Sequence, residues 1–155
     1  MNARAGAIDA RPLGDSVRDI IGKVLGWAAV VFTNAGAAVI TNRVIQAGTA
    51  PKNIGWGIGV GAAAVTDTTL GTESAPTTSG GRTVGTESRT TVTNTNDNYS
   101  VVGTVTSGSS LAITEAGTFD AASVGNMLIR GVFAAVNVVS GDSIAFTVGL
   151  KMVPG

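Results

Sequence analysis

The chain of 155 residues contains neither cysteine nor histidine. Without cysteine there is no disulfide framework, no thiolate chemistry and no cysteine-based metal site. Without histidine the commonest general base and the commonest metal ligand are both missing. A serine nucleophile would then need lysine or another base to activate it, and no serine–lysine spacing stands out. Charge is also scarce: 13% of residues are charged and the formal net charge is zero. Free soluble proteins usually carry more surface charge and a net charge away from zero. Two readings fit, a surface largely covered by neighbours or a plain β protein coated with Thr and Ser. Lysine and arginine are too dilute for a nucleic-acid footprint. Long apolar runs are lacking too. Val24–Asn42 is uncharged, but Thr33-Asn34-Ala35-Gly36 interrupts it, and a membrane span wants about twenty predominantly apolar residues. The N-terminus has no apolar core and does not read as a secretory signal.

What is present is alternation. Ile144, Phe146, Val148, Leu150 and Met152 alternate with Ser143, Ala145, Thr147, Gly149 and Lys151, the period of a strand with one face in a core. Leu111–Val153 reads as three such strands separated by turns. Asn53–Val60 alternates Ile54, Trp56, Ile58 and Val60 with an asparagine and three glycines. Glycines in a strand mark close approach by another backbone or sheet. Strands are expected near 53–60, 83–95, 99–106, 128–136 and 143–153, with a surface loop over 76–82 and a turn at Asn94–Asn98.

The first third is organised differently. Residues 1–14 read as an extended arm. Asp15 reads as an N-cap, with Val17, Ile20, Ile21, Val24 and Leu25 on one helical stripe and Gly26 as the stop. Trp27–Phe32 reads as a short strand. Thr33 then caps a second helix whose apolar face is Ala37, Ile40, Val44 and Ile45, with Gly48 at its C-terminal turn; a hairpin at Asn34-Ala35-Gly36 is the rival. The expected fold is mainly β: a two-sheet sandwich, a jelly roll being one form of it, with one or two short N-terminal helices. The expected division is an arm plus amphipathic helix over 1–27 and a β-sandwich over 28–155. Residues 1–52 carry six cations against three acids, a net +3, and residues 53–155 carry four against seven, a net −3. A basic arm opposed to an acidic body suits docking on a neighbouring copy or an acidic partner. Arg4, Arg11, Arg18, Lys23 and Trp27 are the candidate interaction residues.

Tests for chemistry fail in turn. Gly57-Ile-Gly59-Val-Gly61-Ala62 matches the loose dinucleotide fingerprint, yet Thr66-Asp67-Thr68-Thr69 follows instead of an amphipathic helix. Asn94, Asn96 and Asn98 around Asp97 resemble the start of a calcium loop, but Tyr99 and Val105 stand where Gly and Glu are required. Glu115 and Asp120 have opposite strand parity, so they do not form a carboxylate pair. Glu115 is better placed to pair with an arginine, with Arg130 a candidate, or to cap backbone amides. No catalytic residue, metal or cofactor is expected.

Ile113-Thr-Glu-Ala-Gly-Thr-Phe-Asp120 followed by Gly125-Asn-Met-Leu-Ile-Arg130 resembles the "I-x-E-x-G-L-F-D-A … G-x-L-x-A" signature of small tailed-phage virion proteins. Phe32-Thr-Asn-Ala-Gly36 through Ile40 resembles a helix start in that group, and Ile54-Gly-Trp-Gly-Ile-Gly59 resembles its "I-x-W-G-x-G" strand. The resemblance runs in order over residues 32–153, departs at Thr118 where an aliphatic residue is usual, and includes capsid decoration (cement) proteins and tail-collar fibre domains. It implies a non-enzymatic virion protein, made in the host cytoplasm and carried on the outer capsid surface. It would bind the major capsid protein lattice, self-associate as a homotrimer, and bind neither nucleic acid nor membrane. A tail-associated collar, adaptor or fibre-attachment subunit is the alternative, although no fibre shaft follows residue 155.

Overall fold

A computed structural model describes residues 16–18, 24–27, 30–74 and 81–152. Among these residues the protein is mainly β, with two antiparallel sheets and one short helix. The first sheet has the order β2 (Val24–Trp27), β1 (Ser16–Arg18), β11 (Ser143–Lys151), β8 (Asn98–Thr106), β7 (Thr86–Thr90). The second has the order β3 (Val30–Phe32), β10 (Met127–Val138), β9 (Leu111–Phe119), β4 (Asn53–Gly57), β5 (Glu73–Ser74), with β6 (Thr83–Val84) also paired to β4.

The alternation expected at residues 144–152 is realised through Leu150; the strand ends at Lys151 and Met152 is 40% exposed. Ile144, Phe146, Val148 and Leu150 are buried, and the residues between them are half-buried. Phe146 joins the two sheets: its ring meets Trp56 of β4 edge-on at 6.4 Å between centroids. Around them pack Ile54, Val101, Val105, Ile113, Leu128 and Ile129, all at most 1% exposed.

The Thr-rich stretch expected as one strand over 83–95 is divided. β6 pairs with β4 in one sheet and β7 with β8 in the other, so the chain changes sheets at Gly85. A Cβ at Gly85 would lie 2.6 Å from Val101 Cγ1 and 3.0 Å from the Val102 carbonyl oxygen, so a side chain there would collide with β8. The strand ends at Thr90. In the following turn Asp97 accepts bonds from the backbone amides of Val92, Thr93 and Asn94 at 2.8–2.9 Å.

The helix expected from Asp15 to Gly26 is not formed where the chain is described. Ser16–Arg18 and Val24–Trp27 are strands that pair with each other, and Val17 pairs with Phe146. The apolar stripe was too short to sustain a helix alone, and the edge of β11 offers β-branched residues a hydrogen-bonded ladder. From Ser16 onward, the described parts of the expected arm therefore belong to the sandwich, and the division at residue 27 runs through it. Trp27 ends β2, and β3 begins in the other sheet at Val30.

The second helix, α1 (Asn34–Val44), is capped by Thr33, whose Oγ1 accepts from Gly36 N at 2.9 Å and donates to the Met127 carbonyl at 2.5 Å. Its buried face differs from expectation. Gly36 and Val39 are buried and Ile40 is half-buried, while Ala37, Val44 and Ile45 are exposed. The cause is close docking on β10: a Cβ at Gly36 would stand 2.5 Å from the Leu128 carbonyl oxygen. The helix also ends before Gly48. Ala47 N bonds Asn42 O and Gln46 N bonds Arg43 O, a Schellman closure with Gln46 in the left-handed region at φ 61°.

Candidate functional site: a carboxylate held by the glycine loop

β4 is buried along its whole length. Ile54 and Trp56 face the other sheet, and the glycines between them face a second layer made by the chain's own return. That return is the loop 58–72, which doubles back so that Ile58 N bonds the Thr72 carbonyl at 3.0 Å. Between loop and sheet lies Glu115, paired in register with Gly57 and 0% exposed.

Its carboxylate is fully engaged. Oε1 accepts from Gly59 N at 3.0 Å and Thr72 N at 2.8 Å. Oε2 accepts from Gly71 N at 2.9 Å and from Arg130 Nε at 2.9 Å, with Arg130 Nη2 at 2.7 Å. Arg130 extends from β10 and reaches past Glu115 to Asp67 Oδ2 at 2.7 Å. Asp67 in turn accepts from Ala64 N at 2.7 Å, and Thr114 Oγ1 donates to the Gly59 carbonyl at 2.7 Å. Burial acts most strongly on Glu115 and favours its neutral form. The amides of Thr72 and Gly71 and the Arg130 guanidinium outweigh it and hold the carboxyl below its ordinary range. The Ala64 amide, then Arg130, does the same for Asp67. Arg130 also suffers most from burial, yet its two carboxylates raise its pKa.

Chemically the cluster is closed. The glycine-rich run that mimics a dinucleotide fingerprint offers its amide to the protein's own carboxylate rather than to a pyrophosphate. Glu115 has no lone pair left to act as a base, and Arg130 is committed to both acids. The site fixes a loop, and what it presents is the loop's outer surface. The expected Glu115–Arg130 pairing and the expected close approach at the strand glycines both hold; a Cβ on Gly57 would overlap the Thr72 carbonyl, and one on Gly59, just past the strand, the Glu115 carboxylate.

Sequence reasoning missed a second arginine. Arg82 is 8% exposed and forks onto Glu73 at 2.7 and 2.9 Å. It also donates to the carbonyls of Ala121 and Val124 and lies 3.2 Å above the centre of the Phe119 ring. The Asn94–Asn98 stretch is the Asp97-capped turn described above. Among the described residues no group of three His, Cys, Asp or Glu side chains could hold a metal, and no helix is long and apolar enough to cross a membrane.

Of the candidate interaction residues, Arg4, Arg11 and Lys23 lie outside the described residues. Arg18 and Trp27 have described backbones only, in neighbouring strands, with Arg18 paired to Ala145 and Trp27 to Ser16. Residues 76–80 of the expected surface loop also lie outside. No protein-family model, curated protein or solved structure matches the chain.

Proposed function

We infer that the protein is a non-enzymatic phage virion component that decorates the capsid, binding the lattice of the major capsid protein and stabilising it. One observation carries the reading. The separate stretches that resemble small virion proteins fold into one packed unit. Gly36 of the helix start packs on Leu128, Gly57 and Gly59 of the Trp-Gly strand pack on Glu115, and Glu115 pairs with Arg130 from the last segment. The scarcity of charge and the closed, non-reactive state of the Glu115 cluster support an assembly role over a reaction.

The mechanism is mass action: a protein that binds only the expanded shell stabilises that state. The direct test is copy number in purified virions by quantitative mass spectrometry. Hundreds of copies support capsid decoration; six, twelve or a few dozen move the protein to the tail, as a collar or adaptor subunit.

A further inference from the structure

β7 is the outermost strand of its sheet, and all five of its residues are exposed. One side of it is paired to β8, from Thr86 opposite Val102 to Thr90 opposite Asn98. Along its other side every second residue turns a backbone N–H and C=O outward, and no described residue pairs with them. Such an edge is a template for a further strand. The strand reads Thr86-Glu87-Ser88-Arg89-Thr90, which is self-complementary about Ser88. An acid and a base flank the serine, and a threonine flanks each of them. Glu87 and Arg89 lie on one face of the sheet, opposite Val101 and Tyr99. Glu87 accepts a bond from the Tyr99 hydroxyl at 3.1 Å, and neither charged side chain has an ion-pair partner among the described residues.

We propose that β7 pairs antiparallel with β7 of a second copy about a two-fold axis at Ser88, joining the five-stranded sheets of the two copies edge to edge. In that register Glu87 faces Arg89 of the other copy, Arg89 faces Glu87, and Thr86 faces Thr90. One patch thus meets itself, as an isologous contact requires. Opposite charges directly across a ladder stabilise it and like charges destabilise it. A slip by two residues sets Glu87 against Glu87, or Arg89 against Arg89. A slip by one turns the faces of the strand over. A parallel pairing in register also brings like charges together. Charges on an edge ordinarily keep other strands away; this pair admits a second copy in one register. Exposed ion pairs add little free energy, so they select the register while the backbone ladder supplies the attraction.

The experiment is analytical sedimentation of the full chain over a concentration series, with Glu87→Arg, Arg89→Glu and the double variant that exchanges the two. Both side chains are exposed, so melting should match wild type and report that each variant folds. Wild type should associate reversibly. Each single variant should associate roughly tenfold or more weakly, because two attractive pairs become two repulsive ones. The double variant should regain wild-type association. An equal mixture of the two single variants should do the same, since every facing pair is then again of opposite sign. A wild type that stays monomeric, single variants that associate as tightly as wild type, or a double variant or mixture that fails to regain association would each overturn the proposal. Failure of shell binding, by contrast, would strike the proposed function and leave this contact standing.

Discussion

Glu115 and Thr118 lie on the same strand, both 0% exposed, and are treated in opposite ways. Every lone pair of Glu115 is used, whereas Thr118 Oγ1 has no hydrogen-bond partner, nor does Trp56 Nε1. A buried polar group without a partner costs about 1–3 kcal/mol. Thr118→Val keeps the shape and removes the hydroxyl, so it should stabilise by about 1 kcal/mol in urea titrations; a clear loss would mean the hydroxyl is satisfied in solution. Glu115→Gln leaves Arg130 buried with half its counter-charge and should cost about 3 kcal/mol. Phe146→Ala, which empties the contact between the sheets, should cost about 3–5 kcal/mol, and an unchanged melting temperature would contradict the core assignment. Glu115 was legible in the sequence because strand parity separated it from Asp120 and left Arg130 as a partner. Arg82 was not, because its partners stand 9, 39 and 42 positions away and follow no period.

At the scale of elements, strands with a strict period of two were readable, and β11 and β8 lie where the alternation puts them. Three elements were not. The 83–95 stretch is broken by a sheet crossing that only the neighbouring β8 imposes. The described parts of the 15–26 stripe are strand, because β11 offers them an edge to pair with. The apolar end of α1 is exposed because Gly36, and not the larger side chains, sets how the helix docks. The loop 58–72 ties element to pH. The carboxyls of Glu115 and Asp67 are held below their ordinary values of 4.5 and 3.8. The Asn94 amide first, then those of Val92 and Thr93, bring Asp97 down to about 2 against burial. Groups depressed in the folded state contribute stability that is complete above their unfolded values and lost as pH falls through the folded ones. The melting temperature should therefore be flat between about pH 5 and 9 and fall steadily below about pH 4. In Glu115→Gln that acid slope should be shallower; equal slopes in the two proteins would show that the clamp does not titrate with folding.

For the whole molecule, the mainly β class and the two-sheet sandwich were legible from alternation, turn chemistry and the shortage of charge. The exposed apolar side chains were not, because exposure at Val44, Ile45 and Val60 is a property of the folded shape. The sandwich is braced at its loops by two buried arginines, Arg82 and Arg130. The partner proposed for it is the capsid lattice. Co-sedimentation of the purified protein with unexpanded and expanded shells, followed by the melting of each shell, tests that claim most directly. The account predicts saturable binding to expanded shells alone, at hundreds of copies per particle, with a rise in their melting temperature. Absence of binding, or equal binding to both shells with no change in melting, would contradict it.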